Sequence, residues 1–500
     1  MDLSAAYSSM LADLPTIFSM AWLCTVGLAL VVWDAFRNND RNIPWVGAAA
    51  LVVAIVWEVL QLGTGAGTAF FGMIRTGGFA AFINLTILIS TLFSLILSVP
   101  YLRSIKHEYG EVYAIILFAA AGMLLLGTAN NLVSIFVGLE TMSICLYILT
   151  GLVRDDEGAA ESALKYFLLG AFSTGFFLYG IALIYGSTGT MDLTLMQAGL
   201  ESTGSTALFW AGVGLLLIGF MFKVSAAPFH MWTPDVYQGA PTTLTGYMST
   251  ATKAASFASL ILVLYYALPP ERWSLVLAVV AVITMLLGNV LALAQRNVKR
   301  MLAYSSIANA GYILVGLSAG SASGYGGALF YLLVYSVMNI GAFGVMALLE
   351  WDGKEGREQT LNSLAGVGQR RPLLGVVMAF CMFSLIGFPG LGGFFGKYAV
   401  FAPAVEAGLT WLVLIGVLAS AVSAYYYLRV LFVFWMRSPD EEPEAAPARD
   451  MTFAVPVPSA VVLALCAVLL VVLGILPGGL LEITADFFAN GSAAMANRPG

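Results

Sequence analysis

Apolar runs long enough to cross a lipid bilayer recur along almost the whole of this 500-residue chain. A helix needs about 20 predominantly apolar residues to span the hydrocarbon core. Hydrophobic residues make up 60% of the chain and charged residues only 10%, far from the balance of a soluble domain. We therefore predict an all-α, polytopic protein of the lipid bilayer. Its fourteen predicted spans, numbered in chain order, cover residues 15–33, 43–61, 79–100, 112–129, 131–150, 162–187, 207–232, 243–268, 273–294, 302–318, 326–349, 373–401, 409–436 and 455–476.

Several classes of function are disfavoured by composition and motifs. The net charge of −6 provides no basic field for nucleic acid. No nucleotide-binding glycine loop and no C-x-x-C motif occurs, and the four cysteines are widely separated within apolar runs, which disfavours metal or iron–sulfur ligation. No basic residues precede the first apolar run, so we expect it to be a true span and not a cleaved signal peptide.

The basic residues outside the spans are distributed unevenly. Loops after odd-numbered spans carry fourteen lysines and arginines, whereas loops after even-numbered spans and the two tails carry three. Because cytoplasmic loops are enriched in lysine and arginine, this bias predicts an even number of spans with both termini on the outer, periplasmic side.

Four of the seven lysines fall inside predicted spans, namely Lys165, Lys223, Lys253 and Lys397. A lysine at the bilayer centre costs roughly 2.5–3.5 kcal/mol on insertion scales, so intramembrane charges are functional by default. Glu140 is the clearest acid in mid-span, while Glu58 lies nearer a span end, where we expect it to reach the interface. One static acid–lysine pair could serve helix packing alone. Four lysines against one central carboxylate favour a path for protons or ions.

Two spans contain helix-breaking residues next to these charges. Pro228 separates Lys223 from His230, which we interpret as a relay group, and Pro389 with its glycines precedes Lys397. Freed backbone groups are tolerated in a bilayer only where they line protein or water. Two breaks five spans apart predict a duplicated five-helix unit, and an odd-numbered unit inverts its second copy. We expect an N-terminal three-helix segment, two repeats (spans 4–8 and 9–13) and a C-terminal helix with a tail, bounded at residues 1–111, 112–268, 273–436 and 437–500.

Four stretches carry a family resemblance: "LKYFLLGAFSTGFFLYGIALIYGSTGT", "FKVSAAPFHMWTPDVYQGAPT", "VKRMLAYSSIANAGY" and "GFPGLGGFFGK". At these motifs the chain resembles the antiporter-like subunits of respiratory complex I, the NADH:quinone oxidoreductase. The resemblance covers roughly spans 4 to 13. It implies a proton-translocating subunit of the bacterial inner membrane, in contact with other membrane subunits of that complex, including further antiporter-like ones. NADH, FMN, iron–sulfur clusters and quinone would bind elsewhere in the complex, and this chain would hold no cofactor or metal.

The same resemblance assigns roles to individual residues. Glu140 and Lys223 would form a charge pair that gates protonation, and Lys253 would be the central relay. Lys397 would hand the proton to the far side, and Lys165 matches a lysine of the input or modulatory path. The family is also similar to subunits of multisubunit sodium/proton antiporters, so a cation/proton antiporter subunit is the alternative function. A purely structural scaffold is a third possibility, and the surplus of buried lysines argues against it.

Overall fold

The computed structural model describes residues 3–37, 40–350, 360–438 and 455–496 of the chain. Helices dominate these residues, and a short antiparallel hairpin joins β1 (Gly67–Ala69) to β2 (Ile74–Thr76). In chain order the helices are α1 (Leu3–Asp13), α2 (Phe18–Arg37), α3 (Ile43–Gln61), α4 (Gly78–Ser104), α5 (Gly110–Thr128), α6 (Leu132–Thr150), α7 (Glu157–Thr188), α8 (Met196–Thr203), α9 (Thr206–Lys223), α10 (Trp232–Gly239), α11 (Thr242–Tyr266), α12 (Pro270–Leu293), α13 (Val298–Ser318), α14 (Ala322–Glu350), α15 (Val367–Arg370), α16 (Pro372–Ile386), α17 (Gly392–Glu406), α18 (Thr410–Met436), α19 (Val457–Ile475) and α20 (Gly478–Ala496).

The predicted polytopic all-α fold is confirmed. Within the described ranges, 13 helices are long and apolar enough to cross a membrane, and they match thirteen of the fourteen predicted spans. The remaining one, predicted at residues 373–401, is divided into α16 and α17, which have 15 residues each. Helices α11 and α13 are buried on all sides, so they form the centre of the bundle.

The first predicted break lies between α9 and α10. Residues 224–231 leave the helix, and Pro228 contributes no backbone N–H to continue it. The protein satisfies the groups that the break frees. The Ala227 N–H donates to Thr284 Oγ1 over 3.0 Å, and the Trp232 indole N–H donates to the Phe222 carbonyl over 2.9 Å. The interruption predicted from Pro228 is therefore present and is stabilised from within the bundle.

The second predicted break separates α16 from α17. Gly387 and Gly390 adopt φ values of +89° and +90°, which side chains with a Cβ rarely tolerate. Gly393, in the first turn of α17, lies so close to α16 that an added Cβ would stand 1.8 Å from the Ser384 carbonyl oxygen. Glycine therefore permits both the turn and the tight return of the chain.

Helix packing in the two predicted repeats follows the same order. In residues 112–268, α5 packs against α6 and α11, and α7 packs against α9. In residues 273–436, α12 packs against α13 and α18, and α14 packs against α16 and α17. Each helix of the first set thus has a counterpart at the same place in the second. This recurrence supports a duplicated unit, while its inversion and the four segment boundaries stay predictions.

The N-terminal helices form a layer beside this centre, in which α2 packs against α5 and α4 packs against α11 and α14. Glu58 of α3 does not reach the interface as expected. It is buried, with 5% of its surface exposed, and its carboxylate accepts a hydrogen bond from Ser19 Oγ of α2 over 2.6 Å. The expectation was wrong because α2 covers this side of α3 and supplies a donor.

The C-terminal tail contains a helix that the sequence did not predict. Helix α20 packs against α14 and α4, close to the N-terminal layer. Phe488 of α20 contacts the rings of Phe79 and Tyr265, and Tyr265 Oη donates to the Phe488 carbonyl over 2.7 Å. The last described helix is therefore part of the packed bundle.

Candidate functional site

Lys223 ends α9 at the first break and is buried, with 5% of its surface exposed. Its ammonium group donates to Ser143 Oγ of α6 over 2.6 Å, and it lies 5.7 Å from the centre of the Tyr147 ring. Ser143 donates its own proton to the Leu139 carbonyl over 2.5 Å, which leaves an oxygen lone pair for the lysine. The last turn of a helix also favours a cation electrostatically.

Glu140 lies on α6 one helical turn before Ser143, so both side chains share one face of that helix. The carboxylate accepts a hydrogen bond from Thr174 Oγ1 of α7 over 2.8 Å. In the described structure Glu140 and Lys223 form no ion pair with each other. The direct pair predicted from the sequence is therefore not formed in this conformation, because a hydroxyl group satisfies each of the two charges.

Lys253 lies in the middle of α11 and is 1% exposed. Its ammonium group donates to the backbone carbonyl of Ser306 on α13 over 2.5 Å and lies 5.6 Å from the centre of the Tyr335 ring. The acceptor is therefore a neutral oxygen.

Lys397 follows the second break and is 7% exposed. Its ammonium group donates to the carbonyls of Leu385 and Ile386 over 2.9 and 3.0 Å, and to Ser420 Oγ of α18 over 2.6 Å. The two carbonyls belong to the last turn of α16, whose backbone acceptors have no partner within the helix. Lys397 thus caps the helix end that the break creates.

His230 lies in the segment between α9 and α10 and is 8% exposed. Its Nδ1 atom is buried and has no hydrogen-bond partner among the described residues. Buried ring nitrogens are normally hydrogen-bonded to protein or ordered water. The geometry is compatible with the predicted relay role.

Lys165 differs from the other predicted site lysines. Its side chain is 41% exposed and forms ion pairs with Glu161 over 2.6 Å and with Asp235 over 2.8 Å. The expectation of an unpaired lysine inside the bilayer is corrected here. Helix α7 begins at Glu157, five residues before the predicted span, which places Lys165 near a wet helix end with carboxylates within reach.

Sequence reasoning missed a polar network between Lys253 and Lys397. Tyr335 Oη donates to Ser306 Oγ over 2.7 Å, and the neighbouring Ser305 bonds Tyr427 over 2.5 Å. Tyr426, next to Tyr427 in the chain, donates to Asn289. Asn289 in turn donates to Tyr312, whose ring faces the Lys397 ammonium group. A signal was present, since "AYSSIANAGY" places several hydroxyl and amide groups in a span that is otherwise apolar.

Charged residues at the start of α13 were also missed, because they were counted as loop residues. Lys299 is 6% exposed, donates to the Ala240 carbonyl over 2.9 Å and pairs with Glu350 over 3.7 Å. Arg300 pairs with Asp235 over 2.7 Å. Both contacts connect α13 to elements that lie far away in sequence.

A bundle of membrane-spanning helices with two broken spans and buried ionisable groups is typical of membrane proteins that move ions or protons. A family model described as NADH:quinone oxidoreductase/Mrp antiporter, TM matches residues 129–423, which include Glu140, Lys223, Lys253 and Lys397. This match defines the class as the antiporter-like membrane subunits.

Individual relatives narrow the class. The chain is 66% identical to NADH-quinone oxidoreductase subunit N of Salinibacter ruber, over 100% of both chains. It is 36% identical to a chain of respiratory complex I from Thermus thermophilus, with a TM-score of 0.78 over 93% of this chain and 99% of that chain. A chain of the Mrp complex from Dietzia sp. has a TM-score of 0.83 at 20% identity, over 95% and 97% of the two chains, and therefore shares the fold alone.

The chain belongs to the subunit N family of NADH-quinone oxidoreductase. It is thus a membrane subunit of respiratory complex I, as the sequence motifs predicted, and its partners are the other subunits of that assembly. The antiporter alternative is less well supported than this assignment.

Proposed function

We propose that this subunit translocates protons along a row formed by Glu140, Lys223, Lys253 and Lys397, with His230 as a relay beside the first break. The observation that carries the proposal is the surroundings of Lys223, Lys253 and Lys397. Among the described residues, no carboxylate forms an ion pair with any of them, and their ammonium groups contact neutral oxygens only. A buried charge without a counter-charge is costly. Lysine, unlike arginine, can remove that cost by releasing its proton.

The polar network supports the order of transfer. Lys253 is the central member, since it contacts Ser306 at one end of the network that leads to Tyr312. Lys397 is the terminal member, because its ammonium group lies 4.8 Å from the centre of the Tyr312 ring, beside the second break. Hydroxyl and amide groups thus lie between the two lysines, and we propose that the proton passes among them.

The driving reaction is proposed to lie in other subunits of the complex. NADH, FMN, the iron–sulfur clusters and quinone would bind there, and this chain would receive energy as a change in the electrostatics of its coupled charges. The wide separation of the four cysteines and the lack of nucleotide-binding motifs support this division of labour.

The proposed location is the bacterial inner membrane, with both termini on the periplasmic side. The bias of lysine and arginine toward the loops after odd-numbered spans supports this orientation.

Arginine substitution distinguishes a proton carrier from a fixed charge. We expect Lys253→Arg and Lys397→Arg to reduce proton translocation to about a tenth or less, since a barrier higher by about 1.4 kcal/mol slows a step tenfold. Lys253→Met and Lys397→Met should reduce proton translocation no further than the arginine variants do. Both proton uptake and NADH oxidation are measured in sealed membranes that contain the assembled complex, with exposed Lys106→Arg as the control. Normal translocation in both arginine variants would show that these lysines are structural charges and would refute the relay.

A further inference from the structure

Asp235 of α10 holds two cations that come from distant parts of the chain. One carboxylate oxygen accepts a hydrogen bond from Lys165 of α7 over 2.8 Å, and the other accepts from Arg300 of α13 over 2.7 Å. Arg300 also donates to Gln238, one turn further along α10, over 3.0 Å. Lys165 lies in the first predicted repeat and Arg300 in the second, so one carboxylate connects the two.

We propose that Asp235 is a positioning residue that couples the two predicted five-helix repeats, by holding α13 of the second repeat and α7 of the first against α10. The proposal rests on the proton row described above and adds a contact that controls its geometry. Asp235 does not carry a proton in this role. It acts on the row through the helices that it joins.

The start of α13 requires such a partner on electrostatic grounds. Lys299 and Arg300 are the second and third residues of the helix, where exposed backbone N–H groups disfavour positive charge. Asn297 caps the helix by accepting from the Arg300 N–H over 3.0 Å, but it carries no charge. Asp235 compensates Arg300, and Glu350 compensates Lys299. Without these carboxylates, two cations would face the positive end of the helix dipole.

Both ends of the contact lead to residues of the proton row. Helix α10 begins at Trp232, directly after the first break. The Trp232 indole N–H donates a hydrogen bond to the carbonyl of Phe222, the residue before Lys223. Helix α13 continues from Arg300 to Ser306, about 9 Å along the axis at 1.5 Å per residue. The Ser306 carbonyl is the acceptor of Lys253. A shift of α13 relative to α10 would therefore change the spacing between the Lys223 and Lys253 regions.

The charge of Asp235 is constant near neutral pH. Partial burial would raise the pKa of this carboxyl, but hydrogen bonds from Lys165 and Arg300 hold the pKa below its usual range. A lowered pKa in the folded state contributes stability above the ordinary value of about 4, and this contribution is lost only as the pH falls below it. The ion pairs of Asp235 therefore persist at neutral pH and do not act as a pH-sensitive switch.

The test measures protons translocated per NADH oxidised in sealed membranes that contain the assembled complex. We expect Asp235→Asn to lower this ratio at least twofold at an unchanged amount of complex, and Asp235→Glu to restore at least half of the loss. Arg300→Gln breaks the same contact from the other side and should reproduce the defect. Exposed Asp155→Asn, which removes one carboxylate without a contact of this kind, is the matched control.

The double variant decides whether the two residues act together. Asp235→Asn with Arg300→Gln should be no worse than the more severe single variant, because residues that act through one contact are not additive. Additive defects, an unchanged ratio in Asp235→Asn, or no rescue by Asp235→Glu would each overturn the proposal. If Asp235→Asn does not assemble, an unchanged ratio in Arg300→Gln would overturn it equally. Normal translocation in both Lys253→Arg and Lys397→Arg refutes the proton row itself. A normal ratio in Asp235→Asn beside blocked translocation in these arginine variants refutes only the coupling role of Asp235.

Discussion

At the first break the buried lysine precedes the interruption, and at the second it follows it. Lys223 is the last residue of α9, whereas Lys397 lies in the second turn of α17 and reaches back to the end of α16. An indole N–H from Trp232 caps the first interrupted helix, and the lysine itself caps the second. The two lysines therefore occupy different positions relative to the breaks, even though helix packing recurs between the two predicted repeats.

A serine hydroxyl holds the lysine at both breaks in the same way. Ser143 donates to the Leu139 carbonyl and accepts from Lys223, and Ser420 donates to the Ile386 carbonyl and accepts from Lys397. The surroundings then differ. Lys223 has one such acceptor, and the acid Glu140 lies one helical turn from that serine on α6, whereas Lys397 has three acceptors among the described residues and no acid on the neighbouring turns of α18. We therefore expect the first site to depend on charge and the second on local backbone geometry.

The backbone geometry of the second break gives the largest expected effect. In Gly393→Ala the new Cβ would meet the Ser384 carbonyl oxygen at 1.8 Å, so α16 and α17 would have to separate. Overpacking of this kind costs about 3 kcal/mol. We expect only a small fraction of the complex to assemble, as measured by native gel electrophoresis of membranes. Gly214→Ala, in α9, meets no atom within 4 Å and should leave assembly unchanged. Full assembly of Gly393→Ala would contradict the close return of the chain.

The charge of Glu140 gives the next largest effect. Glu140→Gln preserves the hydrogen bond with Thr174 but removes the acid from the first site, so we expect proton translocation to fall about tenfold in a complex that still assembles. Glu201→Gln, on the exposed surface of α8, is the control. Unchanged translocation in Glu140→Gln would show that the two breaks do not differ in their dependence on charge.

The serine hydroxyls give the smallest effects and the sharpest comparison. Ser143→Ala removes the hydrogen-bond acceptor of Lys223, and we expect translocation to fall by about threefold to tenfold, equivalent to about 1 kcal/mol. Ser420→Ala leaves two carbonyls on Lys397, so about a twofold loss or less is expected. Initial rates of proton uptake measure both. A larger loss in Ser420→Ala than in Ser143→Ala would reverse the proposed difference.

The features that were predicted from sequence depend on local chemistry. The length of each apolar run determines whether a helix can span the membrane. Pro228 and the glycines on either side of Pro389 interrupt their helices wherever the bundle places them. The burial of Lys223, Lys253 and Lys397 follows from their positions within such runs, and the structure places all three in the interior.

The features that were missed depend on contacts between distant elements. The Asp235 partner of Lys165 lies 70 residues away, and only the packing of α7 against α10 brings the two together. Its other partner, Glu161, is four residues away on the same helix and could have been recognised from the sequence. The partner of Lys223 was expected to be Glu140, but Ser143, one turn further along the same face of α6, is the residue within hydrogen-bond distance. Helix α20 carries acidic residues and small residues, so its sequence did not indicate that α14 and α4 would cover it.

The aromatic contact between α20 and the N-terminal layer has a consequence for synthesis. Phe79 has ring contacts with Phe487 and Phe488 of α20, so a nascent chain must grow by a further 408 residues (487 − 79) before the first of these contacts can form. At about 5–20 residues per second, this takes on the order of tens of seconds. Throughout that interval α4 is already synthesised, but the side of α4 that faces α20 is uncovered. Packing on this side of α4 is complete only after α20 has been synthesised.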